Sequence, residues 1–171
     1  MIINAAAYTD VEKAEKEPEE ADAVNGHAVG NLAVAASDMQ RPLVHISTDF
    51  VFAGNAREGY SENDEPESPL GAYGRSKLLG ESLLREAGRD FWLVRTAWLF
   101  GPGGENFVTK IRRALTSGSA VPVTEDQVGS PTFTNDLARA IRALVADGAP
   151  FGIYHLVNSG AASRADVAEE I

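Results

Sequence analysis

No cysteine occurs anywhere in the 171 residues, which removes at one stroke a disulfide framework, a thiolate metal site and a cysteine nucleophile. Positive charge is scarce too, with 15 Lys and Arg against 25 Asp and Glu and a formal net charge of -10 at pH 7. So acidic a surface repels a nucleic-acid backbone or an anionic membrane, and a small ligand is the better expectation. Long apolar runs are missing as well. The longest, around Phe91 to Phe100, is broken by Arg95, and Met1-Ile2-Ile3-Asn4 has no basic lead of the secretory kind. The chain reads as soluble and cytoplasmic. Histidine is sparse, and His27, His45 and His155 lack metal-ligand spacing, so no metal is expected. His45 and His155 lie inside apolar strands and read as structural.

What is present alternates short β-branched runs with longer stretches of helical periodicity, the sequence form of an α/β fold with a parallel sheet. Strands are expected at Ile2-Ile3-Asn4, Leu43 to Ser47, Phe91 to Arg95, Val121-Pro122-Val123 and Ile153 to Val157. Helices are expected from Pro18 to Met39, Tyr73 to Ala87, Asn106 to Thr116 and Asn135 to Ala146, with another opening at Ser163. Pro18 followed by Glu19 and Glu20 suits a helix N-terminus, and Ser163 with Asp166 resembles a capping box. The glutamates from Glu12 to Glu20 read as a solvated helix start. The length fits one compact unit. Gly54 to Pro69 is long for a loop, and long ordered loops are often functional.

The chemistry-bearing constellation is Ser47-Thr48-Asp49 at the end of an apolar strand, followed beyond the loop by Tyr73 and Lys77. Residues four apart share a helix face, where an ammonium beside a phenol favours phenolate and lowers the tyrosine's pKa. Thr48, at the carboxyl end of a parallel strand, stands where open α/β sheets bind ligands, and its hydroxyl can hold a carbonyl oxygen. A bare Tyr and Lys at this spacing usually mark nothing more than an amphipathic surface. Asp49 can simply cap the turn after its strand, and Trp98 can be a core aromatic. The context decides the reading.

Ser47-Thr48-Asp49-Phe50-Val51-Phe52 and Pro69-Leu70-Gly71-Ala72-Tyr73-Gly74-Arg75-Ser76-Lys77-Leu78 together resemble the active-site stretch of extended short-chain dehydrogenases. Asn4-Ala5-Ala6-Ala7-Tyr8-Thr9-Asp10-Val11-Glu12, Arg95-Thr96-Ala97-Trp98-Leu99-Phe100-Gly101 and Asp126-Gln127-Val128-Gly129-Ser130-Pro131-Thr132 narrow the resemblance to the dTDP-4-dehydrorhamnose reductase family. It implies a doubly wound parallel sheet of the Rossmann-like, short-chain dehydrogenase type. Residues 1–171 then form a partial NAD(P)-binding reductase domain with part of the substrate-binding region. The family's first strands and glycine-rich pyrophosphate turn have no counterpart, and Gly101-Pro102-Gly103-Gly104 lacks the G-x-G-x-x-G spacing and reads as a plain turn. The chain therefore reads as an excerpt, with Ile2-Ile3-Asn4 as an apolar edge and too little of the cofactor site for useful turnover.

The resemblance implies reduction of the 4-keto group of dTDP-4-dehydro-L-rhamnose to dTDP-L-rhamnose by NADPH or NADH. Tyr73 is then the proton donor, Lys77 its partner and a ligand of the nicotinamide ribose, and Thr48 the group that polarises the carbonyl. Ala6, Ala7, Tyr8 and Thr9 contact the cofactor, and Val11, Asp49 and Trp98 line the sugar site. A nucleotide sugar is the implied partner, and a homodimer is among the states the resemblance allows. Two other readings stay open: a regulatory module like the reductase-like β-subunit of methionine adenosyltransferase, and a nucleotide-sugar 4-epimerase.

Overall fold

The computed structural model describes every residue from Met1 to Ile171. Its elements run in the order β1 (Ile2–Asn4), α1 (Val11–Ala14), α2 (Pro18–Ala21), α3 (Ala28–Asp38), β2 (Leu43–Thr48), α4 (Ala72–Ala87), β3 (Phe91–Thr96) and β4 (Leu99–Phe100). They continue as α5 (Phe107–Thr116), β5 (Val128–Gly129), β6 (Thr132–Phe133), α6 (Thr134–Ala146), β7 (Gly152–His155), β8 (Ala162–Ser163) and α7 (Arg164–Glu169). No helix is long and apolar enough to cross a membrane.

Length alone suggests one compact unit, but the chain makes two, Met1–Arg95 with Pro150–His155 and Thr96–Ala149 with Leu156–Ile171. The chain leaves the sheet after β3 and returns to it only for β7, and the residues between bury apolar positions of their own, Ile111, Leu137 and Ile141. The first unit is built on a parallel sheet in the order β1-β2-β3-β7. Strands β2 and β3 are central and almost wholly buried, as their near-continuous apolar sequences require of a covered parallel sheet. Val29, Ala33 and Ala36 of α3, Leu84 of α4, Leu43 of β2 and Leu93 of β3 form one apolar cluster, so these two helices cover a face of the sheet. Strand β1 is an edge, with Ile3 exposed.

The helical run expected from Pro18 to Met39 is present, but six residues within it, Asp22–His27, are wound as a π-helix. Pro18 occupies its first turn, and Ser163 and Asp166 close the expected capping box at α7. Glycine matters where α4 meets its neighbours. A Cβ on Gly80 would run into the Asn25 carbonyl oxygen, and one on Gly74 into that of Phe50.

The expected strand Val121-Pro122-Val123 does not form. Pro122 has no N–H to offer a ladder, and short pairings elsewhere build the second unit instead, β4 with β6 in parallel and β5 with β8 antiparallel. Gly101 to Gly104 is a turn, as expected.

Candidate active site

The carboxyl end of β2 delivers Thr48, whose Oγ1 accepts from the Phe50 N–H at 3.3 Å and so caps a single 3-10 turn, Asp49–Val51. Thr48 itself is the cap, so the plain reading of Asp49 as the cap of this turn does not hold. The same hydroxyl donates to Asp49 Oδ1 at 3.0 Å, which fixes its direction. Phe50 from this turn meets the Tyr73 ring edge-on, with centroids 5.7 Å apart, and the absent side chain of Gly74 is what lets α4 lie that close.

Tyr73 and Lys77 do share a helix face, and it is the face turned inward. Lys77 is 2% exposed, whereas Arg75 between them is exposed. The Lys77 ammonium does not act on the phenol, however; its Nζ donates to the Ile46 carbonyl at 2.7 Å. The expected lowering of the tyrosine's pKa is therefore corrected. Burial raises Tyr73 above its ordinary 10.0, a nearby Thr48 side chain opposes the rise, and the Asp49 charge adds to it. Burial also brings Lys77 down from 10.5 to about 8, against the pull of the Glu81 carboxylate.

The segment after β1 is exposed at Ala5, Ala6 and Thr9 and half-buried at Ala7 and Tyr8. Sequence reasoning missed what holds it. Asn25, 1% exposed on the π-helical turn, accepts from the Tyr8 N–H at 2.8 Å and donates to the Tyr8 carbonyl at 2.9 Å. It also donates to Ser76 Oγ at 3.0 Å, and that hydroxyl donates to the Tyr73 carbonyl at 2.8 Å. One amide thus ties the Ala6 to Thr9 stretch to the helix of Tyr73 and Lys77. Two glutamates expected to be merely solvated also have partners. Glu15 accepts from the Ala72 N–H at 2.5 Å at the start of α4, and Glu17 accepts from the Tyr8 hydroxyl at 2.7 Å. Val11 begins α1, exposed, behind an Asp10 cap.

A buried pair was missed too, although an arginine inside an apolar strand was its signal. Arg95 and Glu81 are 2% and 1% exposed, with Arg95 Nη2 2.7 Å from Glu81 Oε2. Arg95 also lies 3.4 Å from His155 Nε2, and His155 is joined to the long loop through Glu62 at 3.0 Å and the Tyr60 carbonyl at 3.2 Å. His45 contacts the Asn4 amide at 3.1 Å and is otherwise enclosed, so burial takes its pKa down to about 3.

The second unit holds Trp98 in a left-handed backbone conformation, φ 45°, which side chains larger than glycine adopt at a cost. The Arg164 guanidinium lies over its ring, 3.5 Å from the centroid, and a Cβ on Gly129 would come within 2.6 Å of the indole. In the first unit a hollow of about 450 Å³ opens beside Arg41, Leu43, Arg89 and Phe91. Those residues mark the amino ends of β2 and β3, whereas open α/β sheets bind ligands at the carboxyl ends, where Thr48 stands.

Known proteins match this arrangement along its whole length. The chain is 47% identical over 169 residues to a dTDP-4-dehydrorhamnose reductase of Mycolicibacterium smegmatis, covering 98% of this chain and 52% of that protein. It is 40% identical over 171 residues to the spore coat polysaccharide biosynthesis protein SpsK of Bacillus subtilis, covering 100% and 59%. The crystal structure of a dTDP-4-dehydrorhamnose reductase from Bacillus anthracis in complex with NADP superposes with a TM-score of 0.94 at 40% identity, covering 99% of this chain and 60% of that one. The chain spans about half to three fifths of the length of these relatives. The RmlD substrate binding domain family matches residues 1–171 from end to end, and the chain belongs to that family.

Proposed function

We propose that this chain is the catalytic-centre portion of a cytoplasmic nucleotide-sugar reductase that converts dTDP-4-dehydro-L-rhamnose to dTDP-L-rhamnose with NADPH or NADH. The observation that carries the proposal is the inward face of α4, which brings Tyr73 and Lys77 to the carboxyl end of β2 beside Thr48. The names of the relatives favour this reaction over an epimerase or a regulatory subunit. In this reading residues 1–171 are a partial cofactor-binding domain with part of the substrate-binding region.

The residues present fit a nicotinamide cofactor. The Lys77 ammonium has three N–H donors and gives one to Ile46, which leaves two for a ribose diol. Ala6 and Ala7 offer small side chains along a bound dinucleotide, and Tyr8 and Thr9 continue the same stretch, held in place by Asn25. When bound, the reduced nicotinamide supplies the hydride that adds to the keto carbon.

The chain's own groups manage the oxygen. Thr48 holds it through its hydroxyl, and Tyr73 hands it the phenolic proton. A phenol kept above its ordinary pKa by burial is fully protonated at neutral pH, so the proton is in place when the oxygen becomes basic. Lys77 stays largely protonated at pH 7 and holds the ribose rather than the phenol. Val11 and Asp49 contact the sugar.

The test is a spectrophotometric assay of NADPH or NADH oxidation by the protein at its natural length, with the 4-keto sugar nucleotide as oxidant. Oxidation strictly dependent on the sugar supports the reading. Interconversion of sugars without net cofactor consumption would replace it by epimerisation, and co-purification with a methionine adenosyltransferase without turnover would replace it by a regulatory role. A homodimer is part of the proposal, to be read by light scattering.

A further inference from the structure

Helix α4 carries a third polar residue on the face of Tyr73 and Lys77. Glu81 lies one turn beyond Lys77 and is 1% exposed. Its Oε1 accepts from Ser47 Oγ at 2.5 Å and from Arg95 Nε at 3.1 Å, and its Oε2 from Arg95 Nε at 3.2 Å and Nη2 at 2.7 Å. Successive turns of α4 therefore grip successive residues of β2, Lys77 taking the Ile46 carbonyl and Glu81 the Ser47 hydroxyl. The next residue is Thr48. A shift of β2 against α4 would have to break both grips before Thr48 moved relative to Tyr73.

The charges make the same point. Lys77 and Arg95 are two cations, each 2% exposed, and Glu81 is the carboxylate buried with them. The other ionisable groups nearby do little to balance them. His45 on β2 is held neutral by burial. His155 on β7 is also pushed down by burial, and its Nε2 faces Arg95. Asp49 bears on Tyr73, and Glu62 is engaged by the His155 N–H. Cations in a poorly solvated interior lose their proton or unfold the site unless an anion is fixed beside them.

We propose that Glu81, oriented by Arg95, is a positioning residue for the Thr48, Tyr73 and Lys77 centre, locking the end of β2 to α4 and keeping the Lys77 ammonium charged. The inference rests on the reductase reading only for its activity arm. In keeping with it, the Glu81 charge opposes the burial that draws Lys77 down to about 8.

The experiment is Glu81→Gln in the protein at its natural length, read in two ways. Carbon-13 NMR of labelled lysine, with the Lys77 signal assigned by its loss in Lys77→Arg, follows the titration of Lys77, and kcat for the keto sugar is followed against pH. Loss of the carboxylate charge should move the Lys77 titration, and the alkaline limb of kcat with it, down by roughly one pH unit or more. Glu81→Asp should restore most of the shift. Ser47→Ala, which loosens the strand without removing the charge, should lower kcat and leave the limb in place. If Glu81→Gln does not fold by circular dichroism, it is made in an Arg95→Met background, which leaves no unpaired arginine, and its Lys77 titration is compared with that of Arg95→Met alone. A folded variant with an unmoved Lys77 titration overturns the inference. If the wild-type protein has no reductase activity the proposed reaction falls, and the titration still decides the role of Glu81.

Discussion

Tyr73 and Lys77 sit together on one helix, but they hold their protons for different reasons, and substitutions should separate them. Tyr73→Phe keeps the ring packed against Phe50 and removes only the acid, so turnover should fall on the order of 10²- to 10⁴-fold with cofactor affinity nearly unchanged. Wild-type turnover in this variant rejects the assignment. Lys77→Ala should weaken both turnover and cofactor binding, whereas Arg75→Ala, on the exposed side of α4, should be mild. Kinetics at saturating and limiting cofactor would reveal the reverse order, which would mean that the wrong face of α4 has been chosen. His45 gives a prediction about stability. Its folded pKa of about 3 lies below the ordinary 6.5, so between those values the unfolded chain takes up a proton that the folded one refuses. Stability is then lost as pH falls through that window. His45→Gln removes this component, and its urea-unfolding free energy should fall less steeply with acid, by up to ~1.4 kcal/mol per pH unit. Equal slopes in the two proteins would contradict the burial of a neutral imidazole.

At the scale of elements, the close approach of α4 to the π-helical turn and to the turn after β2 is what places the site. Gly80→Ala would push a methyl into the Asn25 carbonyl and should destabilise the fold by about 1–3 kcal/mol, read as a lowered denaturant midpoint. A neutral effect would mean that the two backbones can part freely. Much of this architecture is legible in sequence, because amphipathic periodicity fixes α4, α5 and α6 and apolar runs mark β2 and β3. The residue-four spacing also identifies Tyr73 and Lys77 as sharing a face. What that spacing does not carry is direction. Whether Lys77 aims at the phenol or at the Ile46 carbonyl depends on a strand some thirty residues earlier. The clamp by Asn25 is hidden for the same reason, since its partners Tyr8 and Ser76 are distant in the chain. Two-residue strands such as β5 and β8 have no pattern of their own, and the apolar pair around Pro122 is too short to reveal that it would remain unpaired.

For the whole molecule, the 171 residues contain no G-x-G-x-x-G turn, so a dinucleotide on this stretch alone has no such anchor for its pyrophosphate. Turnover by residues 1–171 in isolation should therefore fall on the order of 10²-fold or more below that of the same chain joined at its N-terminus to a relative's βαβ segment. Titration calorimetry with NADP on both proteins reads the cofactor half of this loss. Tight binding by the isolated chain would point to a phosphate site elsewhere, with Gly101 to Gly104 the first place to examine. The interleaving of the two units carries a consequence of another kind. Strand β7 completes the first unit's sheet, yet its residues Gly152–His155 follow the larger part of the second unit, Thr96–Ala149, in the chain. During synthesis β3 must wait with an open edge while some fifty further residues emerge, a long-range closure that is slow and leaves an unpaired strand available to other chains. Ribosome-bound chains arrested before Pro150 should be the ones that chaperones hold, and those arrested well past His155 the first to be released.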